Sequence, residues 1–197
     1  LREHGGDLVG RQCARRRRVA LPAAELTAIA LSLKVATVAV LCSLPFGIAL
    51  GWLLARRRFP GKLLLDTLLV LPLVLPPVVT GYVLLVMFGA LGVIGAFLQE
   101  QLGITLAFRW TGAALASAIM GFPLMVRAIR LSIESVDRRL EQAAPTLGAH
   151  RWRVFFTMTL PLAGPGVIAG AVLAFAKALG EFGATITFVS NIPGETQ

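Results

Sequence analysis

Long stretches of this chain carry no charged residue. Asp66 and Glu100 bracket 33 uncharged residues, Thr67 to Gln99. Val35 to Ala55 gives 21 more, and Val154 to Ala176 gives 23. Roughly 20 apolar residues cross the hydrocarbon of a bilayer as a helix, so each run is long enough to span. The pattern predicts an all-α fold, a polytopic transmembrane helical bundle. The first span runs from about Leu26 to Ala55, with Lys34 near its start, where its stem can snorkel to the interface. The second lies within Leu68 to Ala90 and is interrupted by Pro72, Pro76 and Pro77. Membrane helices tolerate such breaks where neighbouring helices or a water-filled cavity satisfy the freed carbonyls. The third is Trp110 to Val126, 17 residues and near the lower limit. The fourth starts near Leu160 and continues to about Leu179. A last apolar stretch, Phe182 to Val189, precedes Asn191-Ile192-Pro193-Gly194.

Composition agrees with the pattern. The 197 residues are 56% hydrophobic and 15% charged, with mean hydropathy +0.79, whereas a soluble domain carries about a quarter charged residues. The net charge of +9 does not indicate nucleic acid, because the arginines flank apolar spans, as membrane topology requires. The loop after span one has four basic residues (Arg56, Arg57, Arg58, Lys62), and the segment after span three has six (Arg127, Arg130, Arg138, Arg139, Arg151, Arg153). Between spans two and three there is only Arg109. Both basic loops are expected to be cytoplasmic, which puts the N-terminus and the Asn191 end outside. The six arginines of residues 1–20 conflict with this topology. That stretch, with Arg15 to Arg18, Gly5-Gly6 and no hydrophobic periodicity, is expected to be a disordered tail and a gene-prediction artefact, with the transmembrane domain covering 21–197. Cys13, Cys42, His4 and His150 are isolated, so no disulfide framework, metal site or cofactor is implied.

The segment Arg130 to Arg153 carries the strongest pattern. Ile133, Val136, Leu140, Ala143 and Leu147 fall on one face of a helix, with Glu134 and Arg138 paired at i,i+4. Pro145 and Gly148 end it. A second short helix can begin near His150 and present Trp152, Phe155 and Phe156. Two short amphipathic helices on the cytoplasmic side are therefore expected at about 130–156. Such a stripe could lie on lipid or dock in a protein groove. Ala143-Ala144 favours the groove.

Gln142-Ala143-Ala144, then Gly148, Met158 and Leu160-Pro161, resembles the EAA motif of ABC importer permeases: Glu-Ala-Ala, three residues, Gly, nine residues, Ile, one residue, Leu-Pro. Gln142 replaces the family glutamate, Glu141 stands one residue early, Met158 replaces isoleucine, and Pro145 is unexpected. Further likeness lies in Ser43 to Gly47, Leu71 to Val79, Phe122 to Arg130 and Gly180 to Gly194. Together these resemble the molybdate permease subunits of ABC importers, over about Leu31 to Gln197. The resemblance implies a type I (MetI-like) permease fold, apparently truncated at the C-terminus, where the family has one or two further helices. It implies a homodimer, two ATP-binding subunits, an external oxyanion-binding protein and residence in the bacterial inner membrane. ATPase coupling would fall to Glu141, Gln142, Ala143, Ala144, Gly148, Leu160 and Pro161. Sulfate or thiosulfate is the alternative cargo, since sulfate permeases share the Gly-Glu-aromatic-Gly theme.

No phosphate-binding loop of the form Gly-x-x-x-x-Gly-Lys-[Ser/Thr] is present, so no catalytic residue is assigned. A dianion cannot enter bare hydrocarbon, so a polar pathway must open at a helix or subunit interface. Thr80, Tyr82, Ser117, Thr185 and Thr187 are wall candidates, though ordinary interhelical hydrogen bonding is the commoner role of such groups. Lys177 and Glu181 are ionisable groups at membrane depth, read either as pathway groups or as a mutually neutralising pair. Gly166 and Gly170 form a packing step. A membrane-embedded enzyme would need an intramembrane acid–base or metal cluster, and a secondary transporter would need no ATPase knob.

Overall fold

The charge-free runs fold as helices. The computed structural model describes residues 23–89, 92–102, 109–137, 139–140, 150–181, 184–185 and 189. Its elements are α1 (Ala23–Arg56), α2 (Lys62–Val74), α3 (Pro77–Phe88), α4 (Val93–Leu102), α5 (Trp110–Ser135), α6 (Arg151–Val154), a π-helical turn (Phe155–Thr159), α7 (Leu160–Leu162) and α8 (Gly164–Leu179). Leu26–Arg56 and Trp110–Ser135 are each long and apolar enough to cross a membrane. Two bent pairs, α2 with α3 and the Trp152–Leu162 stretch with α8, raise the number of crossings to as many as four.

At the centre, α5 packs against both α1 and α8, and Val40, Met125, Ile129, Ile133, Ala163 and Ala174 are buried where they meet. Lipid tails are as apolar as these side chains, so membrane helices associate through close packing rather than burial from water. Small residues supply that closeness. A Cβ on Gly170 would lie 2.9 Å from the Met125 carbonyl oxygen, and one on Gly166 would collide with Ser132. The predicted packing step is thus seated on α5. Gly47 and Gly51 do the same on α1, their would-be Cβ atoms 2.8 Å from Met125 Sδ and 2.9 Å from Ile129 Cγ2. Sequence analysis did not single out that second step.

Helices α1 and α5 run parallel, start beside start and end beside end, and are joined at both ends. Lys34 Nζ sits 4.3 Å from the centroid of the Trp110 ring, and Arg56 Nη2 donates to the Val136 carbonyl at 3.0 Å. From Lys34 to Arg56 the helix rises about 33 Å at ~1.5 Å per residue, close to the ~30 Å hydrocarbon thickness. Between α1 and α2 the chain turns at Phe59-Pro60-Gly61-Lys62. Lys62 N–H donates to Phe59 O at 3.3 Å, and Gly61 has φ 91° and ψ −1°, the left-handed third position of a type II turn, which favours glycine.

The proline-interrupted span is a sharply broken one. Leu75 precedes Pro76, which precedes Pro77, and a residue before proline is pushed to extended backbone. Leu75 has ψ 144° and Pro76 has ψ 135°. Pro77 then opens α3, where its missing N–H costs nothing. The two helices meet at 112°. Helix α2 packs beside Leu54 and Val126, whereas Leu84 of α3 packs with Ala113, Ala116 and Met120. The pair therefore passes from the arginine-rich end of the bundle to the Trp110 end.

Four sequence expectations are corrected. The second span begins at Lys62, not near Leu68, with Asp66 inside the helix and paired with Arg130. The third continues past Val126 to Ser135, because Arg130 is neutralised at the bundle's flank. The coupling stripe is consequently split: Ile133 is in α5, and Val136 is extended, with ψ 128°. The fourth bends by 67° between Leu162 and Gly164. Helix α4 was not anticipated.

Candidate functional site

The arginine-rich end brings the last residues of α1 and α5 together with the Arg151–Thr159 stretch, which packs on Trp52. Arg130, on α5, donates from Nη1 to both carboxylate oxygens of Asp66 on α2, at 3.2 and 3.1 Å. Its Nε donates to Glu134 at 2.9 Å. One guanidinium therefore fixes the broken span to the central helix; its fork suits such divided contacts. The partner expected for Glu134, Arg138, lies outside the described residues.

The departing strand of chain is held at its root. Beyond the Arg56 bond to Val136, Asp137 Oδ1 accepts the Arg139 N–H at 2.9 Å, as an N-cap does. The returning strand is held too. Ser132 Oγ donates to the Ala163 carbonyl at 3.3 Å, at the bend above α8. Just before it the helix widens into the π-turn, with the Leu160 N–H reaching Phe155 O. Pro161 explains the widening, since its ring would otherwise press on the carbonyl four residues back, and such turns cluster at functional sites. Phe155 packs edge-on against Trp52 at 5.7 Å and against Phe156 at 5.0 Å, while Trp152 and Phe156 stay exposed. Leu160 is half-buried and Pro161 exposed. Glu141, Gln142, Ala143, Ala144 and Gly148 lie outside the described residues.

At the opposite end Lys177 Nζ is 2.9 Å from Glu181 Oε2, and the glutamate side chain is only 2% exposed. Its other oxygen accepts the Ala184 N–H at 3.0 Å, and Thr185 Oγ1 donates to the Glu181 carbonyl at 3.2 Å. The pair is locally balanced, and it caps the turn that follows α8. Thr80 and Ser117 are buried, and the Thr80 hydroxyl has no hydrogen-bond partner. Tyr82 is 60% exposed. Two residues on a helix differ by about 200°, so Thr80 and Tyr82 face opposite ways and do not share a wall within this chain. Thr187 lies outside the described residues.

Residues 47–196 match the family model for binding-protein-dependent transport system inner membrane components. The chain belongs to that family. Members with curated names extend the match. A molybdenum transport system permease protein, ModB, of Escherichia coli K12 is 69% identical over 173 residues, 88% of this chain and 76% of that protein. The Haemophilus influenzae protein of the same name is 62% identical over the same shares. The sulfate transport system permease protein CysT of Escherichia coli K12 is 40% identical over 152 residues, 77% of this chain and 54% of that protein. As an inner membrane component with these apolar helices, the permease is a multi-pass membrane protein.

Three residues central to the geometry were passed over in sequence. Arg56 and Arg130 were counted only as loop charge, and Ser132 not at all. Asp66 offered a signal: it is the sole acid between Glu25 and Glu100, set in an otherwise apolar helix.

Proposed function

We propose that this permease is the membrane subunit of an ABC importer that carries molybdate, or its congener tungstate, across the bacterial inner membrane. It works as a homodimer with two ATP-binding subunits and an external oxyanion-binding protein, and performs no hydrolysis itself. The observation that carries the cargo is the 69% identity to a permease named for molybdenum transport. The 40% identity to a sulfate permease keeps sulfate as the second reading.

The arginine-rich end faces the cytoplasm in this reading, the segment from Glu141 to Gly148 receives the ATPase, and Leu160-Pro161 joins that segment to α8. The rooting of both strands, at Val136 and at Ala163, supports this because a knob fixed at both ends passes displacement to α1 and α5. The pathway opens between helices or between the two copies, with Thr80, Ser117 and the outward Tyr82 as polar wall groups. Lys177, already balanced by Glu181, lowers the barrier to an entering anion without gripping it. Selectivity then rests mainly with the binding protein.

The test is uptake into vesicles holding the permease, its ATP-binding subunit and the matched binding protein. Molybdate should accumulate only with ATP and both partners, and excess sulfate should compete poorly. Sulfate displacing molybdate on equal terms would overturn the cargo, and uptake without the ATP-binding subunit would overturn the class.

A further inference from the structure

We infer that the permease carries a built site for one anionic phospholipid, between α1 and the returning Trp152–Leu160 strand. Two adjoining clefts form it. The deeper, of about 440 Å³, is walled by Pro45, Ala49 and Trp52 of α1 and by Phe155, Phe156 and Leu160 opposite. The shallower, of about 460 Å³, shares Trp52 and Leu53 and is completed by Arg57, Arg58 and Phe59. Apolar and basic compartments thus meet at one indole, with the Arg57 guanidinium carbon 5.8 Å from the Trp52 ring centroid.

The dimensions identify the occupant. Pro45 lies 11 residues before Arg56, the end of α1, or about 17 Å along the helix axis. Half the hydrocarbon thickness is ~15 Å. The apolar cleft therefore extends from the headgroup level to the middle of the bilayer, the reach of one acyl chain in one leaflet. Arginines at the mouth provide charge for a phosphate, and basic groups beside a membrane span attract anionic lipid. The indole at the boundary is placed as interfacial tryptophans are. A second copy seated here symmetrically would set one basic rim against another, which disfavours it. The inference rests on the multi-pass membrane placement and not on the cargo.

The chain has three tryptophans. Two, Trp52 and Trp152, line the deeper cleft, and Trp110 lies at the other end of α5. With Trp110→Phe in the permease–ATPase complex, permease fluorescence reports the cleft. The complex is placed in nanodiscs in which phosphatidylglycerol or phosphatidylcholine carries two bromines midway along a chain. Brominated phosphatidylglycerol should quench at a membrane fraction about thirtyfold lower than brominated phosphatidylcholine, as expected for two arginines acting on one phosphate. Arg57→Gln with Arg58→Gln should bring the two lipids to near parity. Ala49→Phe, which fills the apolar compartment and leaves the charge, should remove most quenching by either lipid. Equal quenching by both lipids in the parent would overturn the inference. So would no quenching by either, the result expected if a protein surface fills the cleft, or a preference that survives both changes.

Discussion

The two ends of the bundle are held together by different means. At the arginine-rich end, side chains from separate helices are tied by directional bonds: Arg56 to Val136, Arg130 to Asp66, and Ser132 to Ala163. At the other end the polar contacts among the described residues are mostly local. Lys177, Glu181, Ala184 and Thr185 satisfy one another within nine residues, and Lys34 over Trp110 joins two helices. The buried hydroxyls of Thr80 and Thr111 have no hydrogen-bond partner there. Directional bonds resist sliding, whereas apolar contact between membrane helices competes with equally apolar lipid. The difference suits a device that receives force at one end and parts at the other.

The largest expected effect breaks the packing common to both ends. Gly170→Leu drives a side chain against the Met125 backbone, which cannot move aside as a side chain can. Overpacking of this kind costs roughly 3 kcal/mol, so folded, monodisperse permease should fall sharply in detergent extracts. Gly164→Ala is the control, because its Cβ would meet nothing within 4 Å. Equal yields of the two variants would remove close helix approach from the account.

A smaller effect probes the locally satisfied end. Lys177→Met leaves the Glu181 carboxylate buried without its cation. Breaking a fully buried pair costs ~3–5 kcal/mol; with Lys177 partly exposed, about 2 kcal/mol is expected after allowing for solvent screening. Adding Glu181→Gln should restore much of the loss in a thermal unfolding assay. Additive losses would show that the pair is not the unit that matters.

Smaller again is the stability effect of Arg130→Met at the tied end. Both its partners are more than a third exposed, so screening limits the loss to about 1 kcal/mol. Uptake should nevertheless fall well beyond what that loss explains, because α2 is released from α5. Uptake that merely tracks the amount of folded protein would make the two ends equivalent.

The bundle was legible in the sequence because its helices are written as charge-free runs bounded by arginines. What was misread has a common physical origin. Arg127 and Arg130 looked like an exit from the membrane, yet α5 continues because Arg130 finds Asp66, a partner 64 positions away that periodicity cannot reveal. The Gly164-Pro165-Gly166 cluster after Ala163 was a visible breaker, and the bend lies there, but the apolar run on either side made one span the simpler reading. Gly166 and Gly170 were read correctly as packing, while Gly47 and Gly51, with the same spacing, were not read as a packing step, Gly47 being noted only within the Ser43 to Gly47 likeness. The pathway set was the least legible. Thr80 and Tyr82 belong to different faces by helical geometry alone, and composition cannot say which face meets a partner. For the expected coupling motif, spacing named a segment most of which lies outside the described residues, and the structure adds how the chain is fixed on either side of it, at Val136 and Ala163.

The central claim is that displacement of the coupling segment reaches the bundle through its fixed roots. Arg56 at Val136 is the most exposed to test, because it joins α1 to the first residue beyond α5. A charge-assisted hydrogen bond contributes about 1.5 kcal/mol, so losing it shifts the occupancy of the tie about tenfold. In vesicles with the ATP-binding subunit and the binding protein, the quantity to measure is molybdate imported per ATP hydrolysed. Arg56→Gln should keep ATP hydrolysis near the parent rate while import per ATP falls about tenfold, and Arg56→Lys, which retains a cationic donor, should recover part of it. Import per ATP equal to the parent in Arg56→Gln would contradict the account.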